Sequence, residues 1–152
     1  MATNGTNGQK PKIPDEAILK MILAGSIVAT TDGRIFRQQS SNGSRKYFCE
    51  LTPEVCKWTT GDLRYRIKIG GESYKDDKGK RRMKQRAINR AKLVWMIHHK
   101  RLVPDGFDVD HADDDPSNDA PDNLQLLPSE ENRAGGSRKA AARTVAGSDV
   151  PF

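Results

Sequence analysis

Between Asp105 and Asp122 the chain carries eight aspartates and no lysine or arginine. Such a segment narrows the folds open to it. The carboxylates repel one another, and the stretch has few apolar residues to hold it in place. It has to be largely loop, anchored by what lies on either side. Those flanks are basic. Lys57 to Arg101 holds 15 Lys or Arg against 4 acids, and Arg133 to Arg143 holds four basic residues and no acid. The outer blocks suit a polyanion through phosphate neutralisation and counterion release. The central block would repel phosphate, so something positive should sit among its carboxylates. A hard cation is the obvious candidate.

The chain can build only a modest core. Leu, Ile, Val and Phe number 29 of 152 residues, and 26 of them fall within residues 13–127. One domain with polar ends is the expectation. No apolar run approaches the roughly 20 residues that span a bilayer, so no membrane is expected as a partner. The opening MATNGTNGQKPK has no apolar signal region, which points to an intracellular, cytoplasmic location. Cys49 and Cys56 are then two reduced thiols rather than a scaffold.

Residues 1–12 read as a polar tail. Residues 13–60 read as a helix and hairpin region. A helix is predicted over roughly 15–24, with Ile18, Leu19, Ile22 and Leu23 at helical spacing and Gly25 as its stop. Ser26–Thr30 and Arg34–Gln38 flank Thr31-Asp32-Gly33, and Asp-Gly is a strong hairpin signal. Ser40–Ser44 reads as loop, and Tyr47–Trp58 fits no single period. Residues 61–136 open on the cleanest strand, Leu63–Ile69, where Leu63, Tyr65, Ile67 and Ile69 alternate with Arg64, Arg66 and Lys68. A turn at Asp76–Gly79 and the basic run Lys80–Arg86 complete a ribbon studded with cations. Arg64, Arg66, Lys68, Arg81, Arg82 and Lys84 are its expected phosphate contacts, with Arg90 following. Residues 88–101 read as a helix with Ile88, Ala91, Trp95 and Leu102 on one stripe, and 137–152 as a basic tail. His98 and His99, adjacent on that helix, diverge by about 100° and cannot easily share a metal. One is expected partly buried and the other exposed.

The acidic segment resolves into strand, loop, strand and helix. Phe107–His111 is a short strand, Ala112–Asp122 a polar loop with two prolines, and Asn123–Leu127 a second strand. Ser129 reads as the N-cap of a helix with Glu130 and Glu131 in its first turn. Asp110 and His111 end the first strand, Asn123 opens the second, and Asn132 lies on the helix. Aspartates 113, 114, 115 and 119 read as loop solvation and turn chemistry.

The run Asp110-His111, eleven residues, Asn123-Leu124, seven residues, Asn132 resembles the motif of HNH endonucleases in their His-Asn-Asn form, as in phage and homing-type members. The resemblance covers roughly residues 62–134, including Asn89-Arg90, Trp95 and Val103-Pro104-Asp105-Gly106. A weaker likeness to an N-terminal hairpin lies at Asp32-Gly33-Arg34. It implies an α+β fold, a ββα-metal finger preceded by β-hairpins and helices. It implies nicking or cutting of double-stranded DNA with one divalent cation, Mg²⁺ or another such as Mn²⁺. Carried over by position, Asp110 is a carboxylate ligand and Asn132 an amide-oxygen ligand. His111 is the general base, and Asn123 braces the loop and orients it. Mg²⁺ takes hard oxygen ligands and keeps waters, so two protein ligands suffice. Imidazole is the side chain suited to accept a proton near neutral pH. One difficulty stands: successive strand residues point to opposite faces.

Some residues depart from the pattern. Gly135-Gly136 falls where the finger helix should continue, which predicts a short helix or one that resumes at Ser137–Arg143. Only 20 residues follow Asn132, so no helix-turn-helix module for sequence-specific targeting is expected. No Cys-x-x-Cys pair flanks the motif, which excludes a zinc-stapled finger. Two rival functions remain. One is a non-catalytic DNA-binding module on the same scaffold. The other is an accessory factor of phage DNA packaging that works with a terminase. Recognition sequence and oligomeric state are not legible.

Overall fold

A computed structural model describes residues 11–41, 43, 45–59 and 61–134. Residues 1–10 of the expected tail over 1–12, and the basic tail over 137–152, lie outside the described residues. The elements run α1 (Asp15–Leu23), β1 (Ile27–Ala29), β2 (Ile35–Ser41), β3 (Arg45–Glu50), β4 (Glu54–Lys57), β5 (Leu63–Lys75), β6 (Arg81–Asn89), α2 (Arg90–His99), β7 (Phe107–His111), a 3-10 turn (Pro121–Asn123), β8 (Leu124–Pro128) and α3 (Ser129–Ala134). None of these helices is long and apolar enough to cross a membrane.

The helix α1 buries Ile18 and Ile22 and stops at Ala24 and Gly25. The hairpin β1–β2 closes where Asp-Gly predicts it, and β3 adds antiparallel to β2. The expected loop at Ser40–Ser44 is shorter, because β2 runs to Ser41 and β3 starts at Arg45. A second sheet has the order β4-β5-β6. Its long hairpin turns at Asp76–Gly79, where the Asp76 carboxylate accepts the N–H groups of Lys78 and Lys80. Its ladder slips between Gly70 and Ser73. A Cβ on Gly71 would stand 2.6 Å from Ile13 Cδ1, so this irregular stretch has room for Ile13 only because it carries glycine.

The helix α2 is the pillar of the molecule. Ala91, Leu93, Val94, Trp95, Met96 and Ile97 are all buried. A helix apolar on every side belongs in the middle of a core, and α2 packs on α1, β1, β5, β6 and β7. Its boundary corrects the expected helix over 88–101. Ile88 pairs with Ile67 in the ladder, so β6 continues to Asn89, whose side chain then caps α2 by accepting from Ala91 N–H at 2.9 Å. Leu63, expected in the core, is 39% exposed; Ile67 and Ile69 supply the buried face of β5. His98 and His99 are both exposed, His99 resting 4.2 Å from the Trp95 ring. Asp15 ties α1 to the rest through Arg86 and Lys92. Burial pushes its carboxyl up, but Lys92 and Arg86 more than offset this and hold it below the usual range.

Strands β7 and β8 pair antiparallel, with His111 opposite Leu124 and Asp110 opposite Gln125. Val109, Leu124 and Leu126 join the core. With α3 they form a strand–loop–strand–helix unit docked on α2. Two boundaries differ from the reading of the sequence. Asn123 ends the 3-10 turn rather than opening β8, since Pro121 favours a helical first position. Ser129 is the first residue of α3 rather than its cap.

Candidate functional site

The acidic loop is held by its own side chains. Asn123 spans it: its amide donates to Asp113 Oδ1 and to Asn118 O, both at 2.8 Å, and its oxygen accepts Asp113 N–H at 3.1 Å. Asp113 also accepts from Asn118 and from Asp115 N–H. Burial pushes the Asp113 carboxyl up, and the hydrogen bonds of Asn118, Asp115 and Asn123 outweigh this and hold it low. The hydroxyl and N–H of Ser117 hold Asp115 low in the same way. Carboxylates that accept this many N–H and O–H groups make turns, and they do so without a core beneath them.

Asp119 is different, and reading the sequence missed it. It is 1% exposed, the buried charged side chain among the described residues. One oxygen meets His111 Nε2 at 2.5 Å, and the other takes Arg90 Nε. Arg90 also donates to Ser117 O at 2.9 Å and lies 4.6 Å from the centre of the Tyr65 ring. Gly33, at φ 84 in the β1–β2 turn, presses on the same residue; a Cβ there would stand 2.6 Å from Asp119 O. Asp119 is thus gripped from the N-terminal hairpin, from α2 and from β7. Its only sequence mark is the small, apolar Ala120-Pro121 that follows it, unlike the polar run around Asp113–Asp115. Arg90, expected on DNA, is turned inward onto this loop.

The residues expected to act together occupy two faces of β7. His111, 14% exposed, turns to Asp119. Asp110 accepts from Gln125 Nε2 at 3.2 Å. Asn132 reaches back from α3 and donates to Asp108 at 3.2 Å. Strand alternation puts Asp108 and Asp110 on one face, so α3 brings an amide to a face that carries two carboxylates. The i, i+2 spacing of Asp108 and Asp110 was a signal available in the sequence. Among the described residues no three His, Cys, Asp or Glu side chains gather. The oxygens this face offers are the carboxylates of Asp108 and Asp110 and the amide of Asn132. Such a set fits a hard cation that keeps several waters and does not suit zinc.

Beside this face lies a cleft of about 490 Å³ between the ribbon and the ββα unit. Asp108 and Asn132 line it, together with Arg64, Arg66 and Lys92. The other ribbon cations are placed less uniformly than the sequence suggests. Lys68 pairs with Glu54 at 2.6 Å, Arg82 with Asp76 at 3.0 Å and Lys84 with Glu72 at 3.6 Å. Arg81 donates to Ser73. The register puts Arg81 on the face of Arg64, Arg66 and Lys68, and Arg82 and Lys84 on the opposite one.

Residues 92–134 match the family of HNH endonucleases. No curated protein matches the chain. A solved structure described as "DNA binding and cleavage by the HNH homing endonuclease I-HmuI" is 18% identical, with a TM-score of 0.42 over 81% of this chain and 61% of that one. The chain therefore spans less than two thirds of that protein's length. The family match runs from the buried helix to the last described residue and takes in Asp110, His111, Asn123 and Asn132. The likeness to the HNH endonuclease family lies in residues 92–134, most of the α2 pillar and the ββα unit docked on it.

Proposed function

We propose that the chain is a metal-dependent endonuclease or nicking enzyme that hydrolyses phosphodiester bonds in double-stranded DNA. One observation carries the reading. The end of β7 presents a carboxylate face to Asn132 and an imidazole to a buried carboxylate, next to a cleft lined with cations. Asp110 and Asn132 would hold the ion, with Asp108 beside them. A divalent cation there neutralises charge on the phosphate and the leaving oxygen.

His111 is the proposed base. A carboxylate accepts hydrogen bonds, so the contact with Asp119 assigns the proton to Nε2 and makes Nδ1 the proposed proton acceptor. Asn123 holds the loop that carries Asp119, and so acts on His111 through it. Arg90 is a positioning residue for the same loop rather than a DNA contact.

Supercoiled plasmid incubated with the purified chain should become nicked or linear in Mg²⁺ or Mn²⁺ and stay supercoiled in EDTA. No conversion in any divalent metal would leave the DNA-binding module as the function. Conversion only after a terminase is added would establish the packaging role.

The ribbon gives a second expectation. Exchanging Arg64, Arg66 and Arg81 for glutamine should weaken binding to all sequences alike. It should also flatten the dependence of log affinity on log salt by about one unit for each phosphate no longer neutralised. Lys68, Arg82 and Lys84 already face carboxylates, so the same exchange there should change the slope less. Equal slopes in both triple variants would show that the shared face does not track the phosphates.

A further inference from the structure

Two large aromatic side chains stand open at the same cleft. Trp58 is 51% exposed and Phe107 is 42% exposed, and both line it. Each is fixed by backbone rather than by burial. Trp58 sits at the β4–β5 turn, where its N–H donates to Asp62 O and its carbonyl accepts Gly61 N–H, both at 2.9 Å. Phe107 opens β7, opposite Pro128. The Arg64 guanidinium lies 5.6 Å from the centre of the Trp58 ring. Arg66 and Lys92 complete the basic lining.

Exposed aromatic faces interleaved with cations are the chemistry of a site that stacks a base and holds its phosphate. A volume of about 490 Å³ is that of a small-ligand site. A base inside a continuous duplex has both faces covered by its neighbours and cannot stack on Trp58. An unpaired nucleotide, from a gap, an overhang or a mismatch, reaches it with little or none of the cost of extrusion from the stack. An apolar ligand would give Arg64 and Arg66 no phosphate to neutralise.

We propose that this cleft takes one unpaired nucleotide next to the phosphodiester that is cut. The substrate is then DNA with a single-stranded interruption, and the basic ribbon holds the adjoining duplex. This rests on the nuclease reading above. It extends that reading from DNA in general to a structural class of DNA. Asp108 and Asn132 line the cleft and also face the proposed ion. The nucleotide stacked on Trp58 therefore lies next to the reacting phosphate.

The test is fluorescence anisotropy in EDTA, with a blunt duplex and the same duplex carrying a short gap. The intact chain should bind the gapped DNA about tenfold more tightly, the effect of roughly one stacked base. Trp58→Ala and Phe107→Ala should each bring the ratio towards one, and Trp58→Phe, which keeps an aromatic face, should retain most of it. A 2-aminopurine in the gap should be quenched by the intact chain and not by Trp58→Ala. Equal affinity for the two DNAs would overturn the proposal. So would a ratio untouched by Trp58→Ala in a variant that melts like the intact chain. The assay needs no cleavage, so the two readings fail separately. A preference for gaps without cutting of either the plasmid or the gapped duplex in Mg²⁺ or Mn²⁺ would sink the nuclease alone, and cutting without the preference would sink this site alone.

Discussion

Replacing His111 with alanine should slow DNA cleavage by about 10²–10⁴-fold, the usual range for removal of a general base, while DNA affinity changes little. The split follows from where the imidazole sits. It is mostly covered, it faces Asp119, and the ribbon cations that would hold phosphate lie on other elements. The effect should therefore appear in the single-turnover rate at saturating protein and not in the binding curve. Asp110→Ala should be as damaging, but with a different signature. Removing a ligand weakens metal binding, so its residual activity should rise with Mn²⁺ concentration, whereas that of His111→Ala should not. A wild-type rate in His111→Ala would remove this residue from the chemistry. A rate in Asp110→Ala that matches wild type at low metal would move the ion to Asp108.

The parts of this molecule that are legible in the sequence are those set by local rules. Asp-Gly at 32–33 closes a hairpin whichever sheet it joins, and Phe107–His111 is bounded as the alternation predicts. The parts that are not legible depend on partners distant in the chain. Tyr47–Trp58 has no clear period because β3 leans on β2 while β4 leans on β5, two sheets meeting within twelve residues. Ile88 fits the stripe of a helix equally well, and only its pairing with Ile67 assigns it to a strand. Tertiary pairing overrides a weak local preference in each case.

The same contrast runs through the site. Asp110, His111, Asn123 and Asn132 can be named from the sequence through their resemblance to the HNH motif. Their division between two faces of β7 follows from strand alternation. Asp119 is set apart from its neighbours in the sequence only by the Ala120-Pro121 that follows it. Its burial needs the Gly33 turn, Arg90 and His111 to converge, and these lie 86, 29 and 8 residues away in the chain. The same convergence turns Arg90 onto Asp119 and the Ser117 carbonyl, although its position beside a basic ribbon suggests a phosphate contact.

Arg90→Ala should be among the most destabilising single changes in the chain. A carboxylate taken almost wholly out of water is tolerated only while its partners remain, and Asp119 has Arg90 on one oxygen and His111 on the other. Removing one partner of a buried pair typically costs about 3–5 kcal/mol, because the remaining charge is left without compensation. At roughly 2–4 °C per kcal/mol for a domain of this size, the melting temperature should fall by about 6–20 °C. Lysine should not rescue it. The guanidinium reaches Asp119, the Ser117 carbonyl and the Tyr65 ring at once, and an ammonium cannot reproduce that planar arrangement. Asp119→Ala should cost a similar amount, since it strands Arg90 instead. The double variant Arg90→Met with Asp119→Leu should be destabilised clearly less than the two single effects added together, because it leaves neither charge buried alone. Thermal melts of the two alanine variants and the double variant decide the matter. Destabilisation below about 1 kcal/mol in both single variants, or strict additivity in the double, would mean that the pair behaves as a solvated surface contact.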